Sequence, residues 1–149
     1  MTLEEKSFKV LELQAVLKLL ADEAVSDGAK LAAEGLRPVK DIHQARQLLS
    51  ETTAAKDMMV LKGSPGFSGA KDVTGSLMRA EKGGLLNTAE LLAIGGVLRC
   101  ARETIAYSAG DGDVKTEIDY LFRSLRSNRP LEERISTSIL GEDEIADGA

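Results

Sequence analysis

"RAEKGGLLNTAELLAI", residues 79–94, decides how this 149-residue chain is read. Its first residues close a helical segment that runs from Val73 to Lys82. Gly83 and Gly84 then stop it, because glycine tolerates the left-handed backbone with which many helices end. Asn87 follows as an N-cap, with Glu90 three residues on in capping-box spacing. From there Leu91, Gly95, Leu98, Ala101 and Ile105 recur at steps of three and four, one face of a second helix. Gly95 and Gly96 inside that helix cost about 1 kcal/mol each relative to Ala. Their place there is explained if they permit the close approach of a neighbouring helix.

The same period extends in both directions. Upstream, Leu13, Val16, Leu17, Leu20 and Ala24 define a helix over 11–25. Gly28 interrupts it, a weaker stretch runs from Ala29 to Glu34, and Gly35 stops that. Pro38 marks a connector, since it lacks a donor and restricts Arg37. Asp41 then caps a long helix, with Gln44 in capping-box spacing. Ile42, Ala45, Leu48, Leu49, Thr52, Ala55 and Met59 form its apolar face, about 30 Å long as far as Lys62. Downstream, Val114, Ile118, Leu121, Phe122 and Leu125 predict a helix over 113–127, and 131–139 gives a short one after Pro130. No period-two strand precedes Gly141; at most a strand pair follows near the C-terminus. The expected fold is all-α, an irregular bundle of five to seven helices. Its expected core holds Leu13, Val16, Leu17, Leu20, Leu48, Leu49, Leu91, Leu98 and Ile105.

Composition agrees. Aromatics are 3% and Trp is absent, so the core is aliphatic and the residue usage favours helix. Net charge is −5, which excludes a nucleic-acid surface over the whole chain but not a local basic stripe. Cys100 is the one cysteine, so no internal disulfide forms, and a reducing cytoplasm is the expected location. No apolar run has membrane-helix length. The opening "MTLEEKSFKV" lacks the pattern of a signal peptide.

Each candidate site has a structural alternative. "GSPGFSGAKD", residues 63–72, has the glycines of a phosphate loop. It lacks the Gly-Lys-Ser/Thr ending, Pro65 removes a donor, Asp72 would repel phosphate, and a helix leads in where a strand should. It reads as an interhelical linker. Asp111, Gly112 and Asp113 begin like a calcium loop, but Lys115, Thr116 and Phe122 stand at ligand-loop positions five, six and twelve. A helix cap is the reading there. His43 has no placed partner for triad chemistry and reads as a helix-surface residue. Cys100 reads as core. Glu142, Asp143, Glu144 and Asp147 lack metal-ligand spacing. Arg123, Arg126, Arg129 and Arg134 are the candidates for a weak nucleic-acid contact. Glu117, Asp119, Glu132 and Glu133 interleave with them, as on a solvated mixed face. No residue set in the chain reads as catalytic, cofactor-binding or metal-binding.

Residues 79–94 also resemble the N-terminal region of the type-two bacterial MutS paralogues, where a helix ending Arg-Ala-Glu-Lys-Gly-Gly precedes a capped helix. Gly66 to Val73 supplies the lead-in, and Asn87 stands where Ser is usual. "AVSDGAKLAAEGLRPVKDIHQARQLLSET" is similar to the MutS core pattern at Gly28, Leu31, Leu36, Arg37, Pro38, Asp41, Ile42 and Arg46. "EDEIADGA" resembles the hairpin after which such proteins continue with Ser-Pro-Glu-Leu. The resemblance covers nearly the whole chain.

It implies that residues 1–149 are one helical module, the N-terminal fragment of a longer protein, within the core and lever helices that link clamp to ATPase. It also implies a homodimeric parent ATPase, using ATP and Mg elsewhere, with a C-terminal nuclease-like Smr domain. Such parents act on branched DNA or stalled ribosomes, in suppression of recombination or ribosome rescue. Two other readings stand beside it: a stand-alone helical adaptor that binds a partner protein, and a small enzyme with an unfamiliar site.

Overall fold

The computed structural model describes residues 3–109, 116–141 and 144–146. These form eight helices and one two-stranded antiparallel ribbon. The fold is all-α, as the periodicity predicts, with the ribbon at the C-terminal end. Among the described residues, no helix is long and apolar enough to cross a membrane. The chain divides into two compact units, Met1–Pro38 and Val39–Ala149.

The first unit holds α1 (Leu3–Val10), α2 (Leu13–Asp22) and α3 (Asp27–Glu34). α1 raises the helix count above the expected range. Glu12, at φ 52°, separates it from α2, so the helix expected from Leu11 begins at Leu13. The next break falls at Ser26 rather than Gly28. The Ser26 hydroxyl accepts from the Ala29 N–H at 3.2 Å and caps α3, which leaves Gly28 inside the helix. α2 and α3 pack together over Leu17, Ala21 and Ala33, all buried. Ala33, the one buried residue of α3, is small and covers only a narrow line of α2. Val16 and Leu20, expected in the core, therefore remain 56% and 47% exposed.

The second unit begins with α4 (Ile42–Lys62), capped where Asp41 accepts from the Gln44 N–H at 2.8 Å. Gly63, at φ 79°, ends it. After the irregular residues 63–73 come α5 (Thr74–Glu81) and the central α6 (Thr88–Ser108). α7 (Asp119–Ser124), α8 (Arg129–Ser138), β1 (Ile139–Gly141) and β2 (Glu144–Ile145) complete it. Of the helix expected over 113–127, residues 113–115 lie outside the described residues, and the rest is only α7. Asp119 takes both the Thr116 N–H (3.1 Å) and its hydroxyl (2.8 Å), which fixes a turn ahead of α7. α8 starts two residues earlier than expected. Asn128 caps it through the Leu131 N–H at 3.3 Å, and Pro130 sits in the first turn, where its missing donor is not needed. The strand pair expected near the C-terminus is present, but β1 begins at Ile139, two residues before Gly141; three residues are too few to display a period.

The core lies where α8 and β1 pack on α6. Ile94, Ile135 and Ile139 are buried there, ringed by Val73, Leu86, Leu91, Leu92 and Leu98. Leu91 and Leu98 thus stand at the rim of the core, and Ile105 is half-buried. Leu48 and Leu49 do not join it. The half-buried side of α4 is formed by Glu51, Ala54, Ala55, Met58 and Lys62, so the apolar face read from the sequence looks away.

Candidate functional site around the central helix

The corner between α5 and α6 is built from residues 79–91. Gly83 adopts φ 80°, its N–H bonds to the Ala80 carbonyl at 2.9 Å, and the Gly84 N–H bonds to the Arg79 carbonyl at 2.9 Å. This pair of bonds is the Schellman ending of a helix. A Cβ on Gly84 would lie 2.6 Å from Arg79 Cγ. Its absence lets Arg79 fold back over the turn, where Nε donates to the Leu85 carbonyl at 3.2 Å and the guanidinium pairs with Glu90.

Glu90 binds in several directions at once. Oε2 accepts from the Asn87 N–H at 3.0 Å and Oε1 from the Ser76 hydroxyl at 3.0 Å. Asn87 Oδ1 accepts from the Glu90 N–H at 2.9 Å, which completes the capping box. The Asn87 N–H, and then Arg79, hold the Glu90 carboxyl below the usual carboxylate range. Leu86 and Leu91 flank the cap in hydrophobic-staple spacing, and both pack on the core.

Residues 63–70 lie along α6 as a strap. A Cβ on Gly69 would stand 2.7 Å from the Gly96 carbonyl oxygen, so backbone meets backbone. Cys100, buried as expected, donates from Sγ to the Gly66 carbonyl at 3.6 Å. Tyr107 donates its hydroxyl to the Gly63 carbonyl at 2.8 Å, while Lys62 Nζ donates to the Tyr107 carbonyl at 3.1 Å. The neighbouring Gly95 serves α8: a Cβ there would be 3.1 Å from Ile135 Cγ2. The expected close approach at the glycine pair is therefore double, with a helix at Gly95 and the strap at Gly96. Asp72, just beyond the strap, accepts from the Thr74 N–H at 2.9 Å, and this bond lowers its pKa. The first turn of α5 thus already carries a carboxylate.

Glu132 on α8 is only 6% exposed. It points to α6, where Arg102 grips both carboxylate oxygens at 2.9 Å and Arg99 stands at 3.6 Å. Arg102 is the main cause of the lowered Glu132 pKa, and Glu132 in turn raises that of Arg102. A cleft of about 250 Å³ beside them is lined by Arg102, Arg129, Glu132 and Glu133. Glu132 therefore leaves the solvated face on which the sequence placed it. The signal was present: residues 132 and 135 share one face of α8, and an acid beside a buried isoleucine requires a cation opposite. Arg99 and Arg102 were missed because that cation lies on another element.

Arg123, Arg126, Arg129 and Arg134 are all exposed. Arg129 pairs with Glu133 at 2.7 Å. Arg126 donates to the Arg123 and Leu125 carbonyls at the end of α7. His43 is exposed on α4. Asp111, Asp113, Glu142, Asp143 and Asp147, and the side chain of Glu144, lie outside the described residues. Among the described residues, no three His, Cys, Asp or Glu side chains are grouped to hold a metal. The polar groups around α6 are committed to one another, an arrangement suited to fixing elements in place.

No protein-family model matches the chain. Curated relatives match nearly all of it. The endonuclease MutS2 of Acetivibrio thermocellus is 38% identical over 151 residues, covering 99% of this chain. Those of Ruminiclostridium cellulolyticum and Clostridium botulinum strain Loch Maree are 38% and 35% identical over 150 residues, with the same coverage. This chain is homologous to one segment of the MutS2 family. It spans 19% of the length of these MutS2 relatives.

Proposed function

We propose that the chain is a helical structural module from the N-terminal part of a longer MutS-family protein, and that it links the clamp to the ATPase. The observation that carries this reading is the match of almost the whole chain to about one fifth of each MutS2 relative. The committed ion pairs around α6 support a structural role. In this reading the parent protein binds ATP and Mg elsewhere, forms a homodimer, and engages branched DNA or stalled ribosomes. The relatives are named endonucleases, and the parent's nuclease chemistry is likewise assigned outside these residues. A long capped helix such as α4, tied to α6 at one end, can carry rigid-body motion between parts of a larger molecule.

The test is the reading frame beyond Ala149. Continuation into a Ser-Pro-Glu-Leu stretch, and later into a Walker A motif, is the expected result. A stop codon directly after Ala149 would contradict it and favour the stand-alone adaptor.

A further inference from the structure

The strap's anchors on α6 share one face of that helix. Gly63 meets Tyr107, Gly66 meets Cys100, and Gly69 meets Gly96. At 3.6 residues per turn, positions 96, 100 and 107 fall within about 40° of one another. The strap therefore runs antiparallel to α6. Its outermost anchors lie about 16 Å apart along the helix, at 1.5 Å per residue. The chain from Gly63 to Gly69 reaches about 20–22 Å at most, so the strap is nearly taut. Gly95, Arg99 and Arg102, which meet α8, lie on a different face, with Gly95 turned about 100° from Gly96.

Little holds the strap in place. Ser64, Gly66, Phe67 and Ser68 are exposed. The bond from the Tyr107 hydroxyl is 2.8 Å long, whereas the 3.6 Å bond from the Cys100 thiol has a weak donor. A segment with few buried apolar contacts opens at a lower free energy than the core around it.

We infer that residues 63–70 form a latch that opens as a unit while α6 and α8 stay packed, and that Tyr107 is its catch. Tyr107 holds both parts of the junction. Lys62, the last residue of α4, donates to its carbonyl, and Gly63, the first of the strap, accepts from its hydroxyl. The strap has only about 4–6 Å of slack. A larger displacement of the end of α4 cannot be absorbed within it and peels it from α6, beginning at Tyr107. Closed, the latch couples α4 to α6; open, it frees α4 and uncovers Cys100, whose thiol reports the change.

The experiment labels the full-length protein with a thiol reagent at urea concentrations below the unfolding transition, and peptide mass spectrometry reads the Cys100 peptide. Local opening exposes little surface, so labelling should outpace global unfolding and stay nearly flat with urea. Tyr107→Phe keeps the ring and removes only the hydroxyl. It should speed labelling by roughly 2- to 13-fold, the equivalent of one neutral hydrogen bond, with the urea dependence still flat and amide exchange in α8 unchanged. Labelling that climbs with urea as steeply as global unfolding would overturn the inference, since the strap would then open only with the whole fold. An unchanged labelling rate in Tyr107→Phe, or a matching rise of exchange in α8, would overturn it as well.

Discussion

Gly84 is decided by space. Its missing side chain is the room that Arg79 occupies on its way to Glu90, and the obstructing atoms are Arg79 Cγ at 2.6 Å and the Arg79 carbonyl oxygen at 3.0 Å. Neither is the free end of a flexible side chain. Gly84→Ala should therefore destabilise the protein by roughly 1–3 kcal/mol, the range for overpacking a filled site. Gly75→Ala is the control, because nothing lies within 4 Å of its added carbon. It should stabilise by about 0.4–1 kcal/mol through the unfolded chain. Urea denaturation of both variants checks the pair, and equal effects would contradict the reading of the corner. Glu132 is decided by charge. Its pKa lies below the ordinary 4.5 because Arg102 binds the ionised form. Its contribution to stability is thus fully present above pH 4.5 and is lost as pH falls through the depressed folded value. Glu132→Gln should lower the urea midpoint at neutral pH and flatten its fall below pH 4.5. An unchanged midpoint, or an undiminished acid slope, would show that the pair with Arg102 stabilises nothing.

Between elements, the decisive contact is the strap on α6. Gly69 meets the Gly96 carbonyl through its backbone, so neither side can yield by rotating a side chain. Gly69→Ala should lift the strap, destabilise by roughly 1–3 kcal/mol, and speed the reaction of Cys100 with a thiol reagent, since Gly66 then no longer covers Sγ. Unchanged stability and unchanged labelling would mean that the strap rests on α6 without holding it. Elements written in local chemistry were legible in the sequence: the Asp41 and Asn87 caps, the Gly83–Gly84 stop, and α6 from its period. Caps and stops involve residues three to six apart, so one sequence contains the whole interaction. The strap's seat, the turn of α4 that hides Ala54 and Met58 rather than Leu48 and Leu49, and the Arg102–Glu132 pair depend on residues 27 or more positions apart. No period carries that information. Ser26 was overlooked because Gly28 is the more conspicuous breaker, although serine at a cap supplies a bond that glycine does not.

At the scale of the whole molecule, charge separates a structural module from a recognition surface. Arg129 is neutralised by Glu133, and Arg102 by Glu132. Arg123, Arg126 and Arg134 remain as exposed cations on a chain of net charge −5. Phosphate contacts release counterions, so each one adds about 0.9 to the slope of log affinity against log salt on duplex DNA. If these residues serve chiefly to position other parts of the protein, that slope should not depend on them. The decisive measurement is fluorescence anisotropy of the full-length protein on a labelled four-way junction and on a labelled hairpin RNA, across a salt series. The wild type is compared with the double variant Arg123→Glu, Arg126→Glu. The predicted result is the same affinity and the same salt slope for both proteins. Loss of binding at physiological salt, with the slope reduced by about 0.9 for each arginine, would show that α7 and its flank read nucleic acid directly, and would contradict a structural module.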